Sequence, residues 1–211
     1  MLDNCKHWIF DMDGTLTIPV HDFNDIRRQI GIPNNTPILE AIAQMPPEEA
    51  TRVSRQLHDI EMELASLASP QPYVLEVLEM LSSRGRNLGI LTRNDEAIAE
   101  ATLRACGLDH LFHSDHVVGR ETCAPKPNPD GVLHLLEAWD ALPAETVMVG
   151  DFLYDIEAGK RAGVRTVHFD SSGRFPWPEF TDHGITALEQ ILDLTGQRNP
   201  GLAEGNQPAA V

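Results

Sequence analysis

The chain is short of cysteine, of basic residues and of long apolar runs, and each shortage removes a class of protein. Its three cysteines, Cys5, Cys106 and Cys123, lie far apart and form no CxxC pair. Neither a zinc framework nor a disulfide scaffold is expected from them, and a reducing cytoplasm is the setting they fit. Lys and Arg number 16 against 32 Asp and Glu, for a formal net charge of -16. That balance disfavours a nucleic-acid backbone or an anionic membrane surface as partner. A small anionic substrate stays compatible with it, because a bound cation and a few local basic side chains reverse the local field. No run approaches the roughly 18 apolar residues of a membrane helix, and the N-terminus lacks the apolar core and basic flank of a signal peptide. There is no internal repeat.

What the chain does contain is a regular alternation. With 211 residues and 42% hydrophobic content, it can build one good core plus a small accessory domain. Short, bounded apolar runs read as strands at Trp8-Ile9-Phe10, 88–92, 116–119, 146–150, 165–169 and near Gly184-Ile185. From the second run onward, helical patterns separate them. Asn94-Asp95 caps one that Gly107 stops, Pro129 opens another that runs to Trp139, and 151–162 is closed by Gly163. A last helix is expected over 187–194. Strands alternating with helices predict an α/β fold, a Rossmann-like parallel sheet with helices on both faces.

The exception is the gap between the first two strands, more than twice the ~30 residues of a tight βαβ crossover. Within it, Asp22 should cap a short helix bearing Phe23, Ile26 and Ile30, and Ile38, Leu39 and Ile42 mark a second. A longer helix is expected over 48–68, with Val53, Leu57, Ile60, Leu64 and Leu67 as one apolar stripe. A further helix over 73–83 belongs to the crossover itself. The surplus, residues 19–69, is therefore expected to be a small α-helical cap inserted into a core formed by 1–18 and 70–195. The tail, 196–211, has little to bury and is expected not to fold.

Four of the strand ends carry chemistry, where open α/β sheets place their ligands. The first has Asp11 and Asp13, followed by Gly14 and Thr15; two acids two residues apart share one small site as nucleophile or metal ligand and as proton carrier. The second has Thr92-Arg93-Asn94, a hydroxyl followed by N–H groups at a helix start, which suits an anion. The third is Lys126, held between Pro125 and Pro127, a positive charge for a phosphate. The fourth has Gly150-Asp151 with Asp155 one helical turn on, and such carboxylates suit a hard ion such as Mg2+.

Together these four stations resemble the four motifs of the haloacid dehalogenase superfamily of hydrolases, in order and in spacing. The helical insert resembles the small cap of its phosphoglycolate phosphatase-like and β-phosphoglucomutase-like branch. The resemblance implies that Asp11 attacks phosphorus to form an aspartyl phosphate. It implies that Asp13 protonates the leaving oxygen and then activates water, while its backbone carbonyl helps to hold Mg2+. Thr92 and Lys126, with Arg93 and Asn94 beside them, would bind the phosphoryl group, and Lys126 would also orient Asp11. Asp151 would be a side-chain metal ligand supported by Asp155. Asp13 argues against dehalogenation, since that branch lacks the second acid. Where many capped relatives continue with an Asp-Ser pair, Leu16 is followed here by Thr17-Ile18-Pro19-Val20. The expected activity is Mg2+-dependent hydrolysis of a small phosphorylated metabolite. Its rivals are a phosphomutase and a phosphate-binding regulatory module without turnover.

Other signals read as structural. His110, His113 and His116 lie in a connection with no fixed geometry and no accompanying Cys, so they are not read as a zinc site. Arg27 and Arg28, with His21 before them, read as a solvated face. Trp177, between two prolines, reads as loop packing against the sheet edge, and Cys123 as an inert thiol.

Overall fold

In the computed structural model, which describes residues 1–20 and 22–196, six parallel strands form one sheet. They are β1 (His7–Phe10), β2 (Asn87–Leu91), β3 (Val117–Val118), β4 (Thr146–Gly150), β5 (Arg165–Phe169) and β6 (His183–Ile185). Their order is β3-β2-β1-β4-β5-β6. Asp22 caps α1 (Phe23–Ile30); α2 (Ile38–Ala43) and α3 (Pro47–Ala65) follow, then α4 (Val74–Ser83) leads to β2. The later crossovers are α5 (Glu96–Cys106), α6 (Asp130–Ala138) and α7 (Leu153–Arg161), and α8 (Gln190–Leu194) closes the described chain.

Side-chain alternation along the strands sorts the core into two layers. Trp8 and Phe10 of β1, Leu88 and Ile90 of β2 and Val147 and Val149 of β4 join one cluster, covered by Val77, Leu78 and Leu81 of α4 and Leu103 of α5. Ile9, Leu91 and Met148, the intervening residues, join the other, covered by Val132 and Leu135 of α6 and Ala158 of α7. Burying each large apolar side chain contributes roughly 1.5–3 kcal/mol, so both faces must be covered and the sheet is held between helices.

Residues between β1 and α4 build a third apolar cluster of their own, with Ile26, Ile30, Ile42, Val53 and Leu57 at its centre. The chain leaves and re-enters the core at one point. Ile18 N–H donates to Ser69 O at 2.9 Å, Gln71 N–H to Leu16 O at 2.9 Å, and Thr17 and Pro70 form an antiparallel bridge.

The structure corrects the long helix of this segment. It starts at Pro47, whose missing N–H costs nothing at a first helical position, and it ends at Ala65 rather than 68. Leu67, expected in its apolar stripe, is exposed, and the face buried most deeply runs Val53, Leu57, Glu61 and Ala65. Steps of four carry that face toward α5, which α3 crosses. The helix expected from 151 begins at Leu153, and the last one at Gln190 rather than 187. The expectations for His21 and for the tail beyond Gly196 fall outside the described residues. Among the described residues, no helix is long and apolar enough to cross a membrane.

Candidate active site

Strand order reverses at β1: the chain builds outward through β2 and β3 on one side, then returns to place β4 on the other. That reversal opens a crevice beyond the C-terminal ends of β1 and β4. Asp11 extends β1 by one residue, its N–H donating to Val149 O at 2.9 Å. Met12 O then accepts from the N–H groups of Leu16 and Thr17 at 2.9 and 3.0 Å, which turns the chain back on itself. Gly14 holds φ +92°, and a Cβ there would run into the Asp151 carboxylate, so only glycine brings the loop this close to β4. Thr15 Oγ1 donates to Asp151 Oδ1 at 3.2 Å and ties the two strand ends together.

The carboxylates of Asp11, Asp151 and Asp155 converge, with one oxygen of each within 4.8 Å of the others. Asp155 reaches back from the first turn of α7, where it also accepts from Phe152 N–H at 2.9 Å. Gly150 makes room for it, since a Cβ there would strike the Asp155 side chain. An all-oxygen anionic donor set without His or Cys fits a hard divalent cation such as Mg2+. The Asp13 carboxylate is not in this set, so any part Asp13 plays toward the ion falls to its backbone carbonyl.

Lys126 lies between two of these acids. Its ammonium donates to Asp11 Oδ1, to Leu91 O at 2.7 Å, and pairs with Asp155 Oδ1 at 2.7 Å, with only 2% of the residue exposed. Burial alone would lower its pKa, but the charges of Asp11 and Asp155 outweigh burial and raise it, so the lysine is held as a cation. Burial, followed by the Asp155 charge, pushes Asp11 well above the ordinary carboxylate range. The same two causes push Asp151 up to about 6. A cation in the carboxylate group offsets both.

The second station has a different internal order from the one its sequence suggests. Thr92 Oγ1 accepts from Asn94 N–H at 3.1 Å, so that N–H is used within the loop. The Asn94 side chain donates to Asp13 Oδ2 at 2.7 Å and so fixes the second acid. Arg93 reaches across to α2, donating from Nη2 to both oxygens of Glu40 at 2.9 Å and from Nη1 to Lys126 O at 2.5 Å, and lies 5.0 Å from the Tyr154 ring centroid.

All eight residues expected at the site, Asp11, Asp13, Thr92, Arg93, Asn94, Lys126, Asp151 and Asp155, line one cavity of about 410 Å³. Its far wall comes from the inserted helices: Phe23 and Arg27 of α1, Ile38 and Leu39 of α2, and Leu57 and Glu61 of α3. Arg27, read from sequence as solvated, is therefore part of the cavity wall, whereas Arg28 is exposed and pairs with Asp25 at 2.7 Å. Glu61 was hidden in the sequence; the one trace is its place four residues beyond Leu57, next to the apolar stripe. Trp177 stacks on His168 at 5.2 Å and meets Phe152 edge-on at 5.3 Å, so its packing continues to the cavity rim. Cys123 packs against the second core layer, and burial raises its pKa, as suits an inert thiol. His113 and His116 contact each other and His116 contacts Trp139, but no group of possible metal ligands forms there among the described residues.

A family model described as haloacid dehalogenase-like hydrolase matches residues 18–169. A haloacid dehalogenase-like hydrolase domain-containing protein of Arabidopsis thaliana is 30% identical over 91% of this chain and 85% of its own length. A phosphoglycolate phosphatase of Aquifex aeolicus is 31% identical over 75% of this chain and 81% of its own. The fold is shared with the crystal structure of a predicted phosphoglycolate phosphatase from Haemophilus somnus, with a TM-score of 0.73 and 24% identity over 91% of this chain and 98% of that one.

Proposed function

The chain belongs to the haloacid dehalogenase-like hydrolase family, and from that premise we propose that it is a Mg2+-dependent phosphatase of small phosphomonoesters, working in the cytoplasm through an aspartyl phosphate on Asp11. The observation that carries this reading is the pairing of Asp11 with Lys126 inside the carboxylate group, next to an Asp13 held by Asn94. One acid is poised beside a buried cation, and the other is oriented from a different loop. Two carboxylates in such different surroundings divide the labour of nucleophile and proton carrier.

In the first step an Asp11 oxygen forms a bond to phosphorus as the ester P–O bond breaks, and Asp13 gives its proton to the departing alcohol oxygen. In the second, Asp13 takes a proton from water, the water oxygen bonds to phosphorus, and the Asp11–phosphorus bond breaks to release inorganic phosphate. Lys126 orients Asp11 and sets a positive charge beside the phosphoryl oxygens, to which the Thr92 hydroxyl offers a donor. Asn94 keeps Asp13 turned toward the leaving group. Mg2+ held by Asp11, Asp151 and Asp155, with the Asp13 carbonyl, would supply positive charge to the phosphoryl oxygens. Residues 19–69 act as the cap, with 1–18 and 70–195 as the core, and the cap helices exclude water and meet the alcohol portion. The phosphatase names of relatives such as that of Aquifex aeolicus support a phosphorylated substrate.

The test is hydrolysis of p-nitrophenyl phosphate with and without chelator, joined to rapid quench and intact mass. Chelation should abolish turnover and Mg2+ restore it. The Asp13→Asn protein should accumulate one phosphoryl group on Asp11, because the base for the second step is gone, and Asp11→Asn should accumulate none. A phosphoryl group mapped elsewhere, or full activity in chelator, would overturn the mechanism; transfer to a second sugar phosphate instead of water would make the enzyme a mutase.

A further inference from the structure

The cavity wall facing the catalytic groups contains one feature that the phosphoryl chemistry does not use. Glu61 projects from α3 into the cavity although only 9% of it is exposed. Arg120 Nη2 stands 2.9 Å from Glu61 Oε2, but the pair lacks hydrogen-bond geometry and that oxygen is fully enclosed. Arg120 is shared, since it also pairs with Asp95 at 3.1 Å, and Asp95 in turn meets His58 of α3 at 2.7 Å. Glu61 is thus fixed in place from the core side, with its enclosed oxygen beside Arg120, while the residue lines the cavity. It shares the cavity with the proton carrier Asp13: burial raises the Glu61 pKa, Arg120 beside it opposes that rise, and the Asp95 and Asp13 charges add to it.

Asp13 delivers its proton to the alcohol oxygen, so the alcohol portion of the ester occupies the space that Glu61 borders. A carboxylate there accepts hydrogen bonds from a hydroxyl and repels a second carboxylate. The rest of the wall adds further hydrogen-bonding groups for hydroxyls. Arg27 is anchored through Nε to Thr36 O at 2.7 Å and through Nη1 to Asn24 Oδ1 at 3.2 Å, so its guanidinium is a fixed donor, and Asn35 offers both donor and acceptor. Between these polar groups lie Leu57, Ile38 and Leu39. Interleaved donors, acceptors and aliphatic patches match a molecule whose carbons each carry a hydroxyl and a C–H face.

Resting on the phosphatase reading above, we propose that Glu61 is the specificity-determining residue for the leaving group, and that the substrate is a polyol or sugar phosphate rather than a phosphorylated carboxylic acid such as phosphoglycolate. Glu61 binds the alcohol portion and takes no part in phosphoryl transfer.

The experiment uses ester pairs matched in carbon count: 2-hydroxyethyl phosphate against phosphoglycolate, and glycerol 3-phosphate against 3-phosphoglycerate. Wild-type kcat/KM should favour the hydroxyl member of each pair by roughly 10- to 100-fold, the worth of one hydrogen bond to a charged group. In Glu61→Gln, of nearly the same volume, that ratio should fall at least about tenfold, while Glu61→Asp should retain part of it. Equal or better use of the acids by wild type would overturn the proposal without any variant, and so would an unchanged ratio in Glu61→Gln. Hydrolysis of p-nitrophenyl phosphate is the separate control. Its absence in wild type would count against the phosphatase reading itself, whereas its presence with a preference for acids would count against the role of Glu61 alone.

Discussion

Lys126 shows how one side chain can serve both folding and chemistry. Its ammonium is enclosed with the Asp11 and Asp155 carboxylates, an arrangement that is expensive to desolvate and more so to break. Lys126→Met leaves two buried acids facing each other without a cation. Removing one partner of a buried ion pair costs about 3–5 kcal/mol, and the variant should show that loss in urea unfolding monitored by circular dichroism, together with loss of turnover. A melt equal to wild type would mean that the acids are relieved by protonation alone. Asn94→Ala makes a subtler change: Asp13 keeps its carboxyl but loses the donor at 2.7 Å. Its kcat on poor leaving groups should fall by no more than the roughly 100- to 10,000-fold that general acid–base help is worth, and the loss should shrink on p-nitrophenyl phosphate, whose leaving group needs little protonation. An equal loss on both esters would separate Asn94 from proton transfer. The acids, the lysine and the threonine were legible in sequence because each lies in the stretch that follows a strand, at its end, in the loop after it or in the next helix's first turn, and each stretch carries its own local pattern. Asn94 was legible as a site residue, but its partner was not, since Asp13 is 81 positions away.

Among the elements, the inserted helices are the ones whose removal the rest of the chain should tolerate. They share an apolar cluster distinct from the two that sandwich the sheet, and their entry and exit are already bridged at Thr17 and Pro70. Replacing residues 19–69 with a short linker should therefore leave a cooperative thermal transition. It should also abolish discrimination among sugar, acid and nucleotide phosphates, which a panel of esters would measure; discrimination that survives intact would remove the cap from substrate selection. What the truncation forfeits is Arg27, Glu61 and the Glu40 partner of Arg93. Helix starts within this segment were readable to about a residue from Asp22 and Pro46-Pro47, but the end of the long helix at Ala65 was not. The exposed state of Leu67 and the burial of Glu61 were not, because the face an amphipathic helix buries depends on what it crosses, and α3 crosses α5.

Taken whole, the molecule concentrates negative charge where its cation should sit, and this couples stability to pH. Asp151 is pushed up to about 6 from 3.8, and Asp11 is raised as well. Across that window the folded metal-free protein binds more protons than the unfolded chain, so its stability increases as pH falls from about 6 toward 4 and decreases as pH rises. Mg2+ removes the penalty of the ionised form. The Mg2+-induced gain in Tm should therefore be largest above pH 6 and shrink below it, as differential scanning fluorimetry with chelator or Mg2+ would show. A gain that stayed constant between pH 5 and 7.5 would place the cation away from Asp151. The α/β class, the insertion between the first two strands and the four polar strand ends follow from local patterns: period-two and period-3.6 apolar spacing, and turn and cap residues whose preferences act over a few positions. The strand order around β1, the contact of Lys126 with two acids, the pairing of Asn94 with Asp13 and the entry of Glu61 into the cavity bring together residues from 29 to 115 positions apart. Those depend on how helices pack across a twisted sheet, and burial, charge and hydrogen bonding at such meetings exist only once the layers have closed.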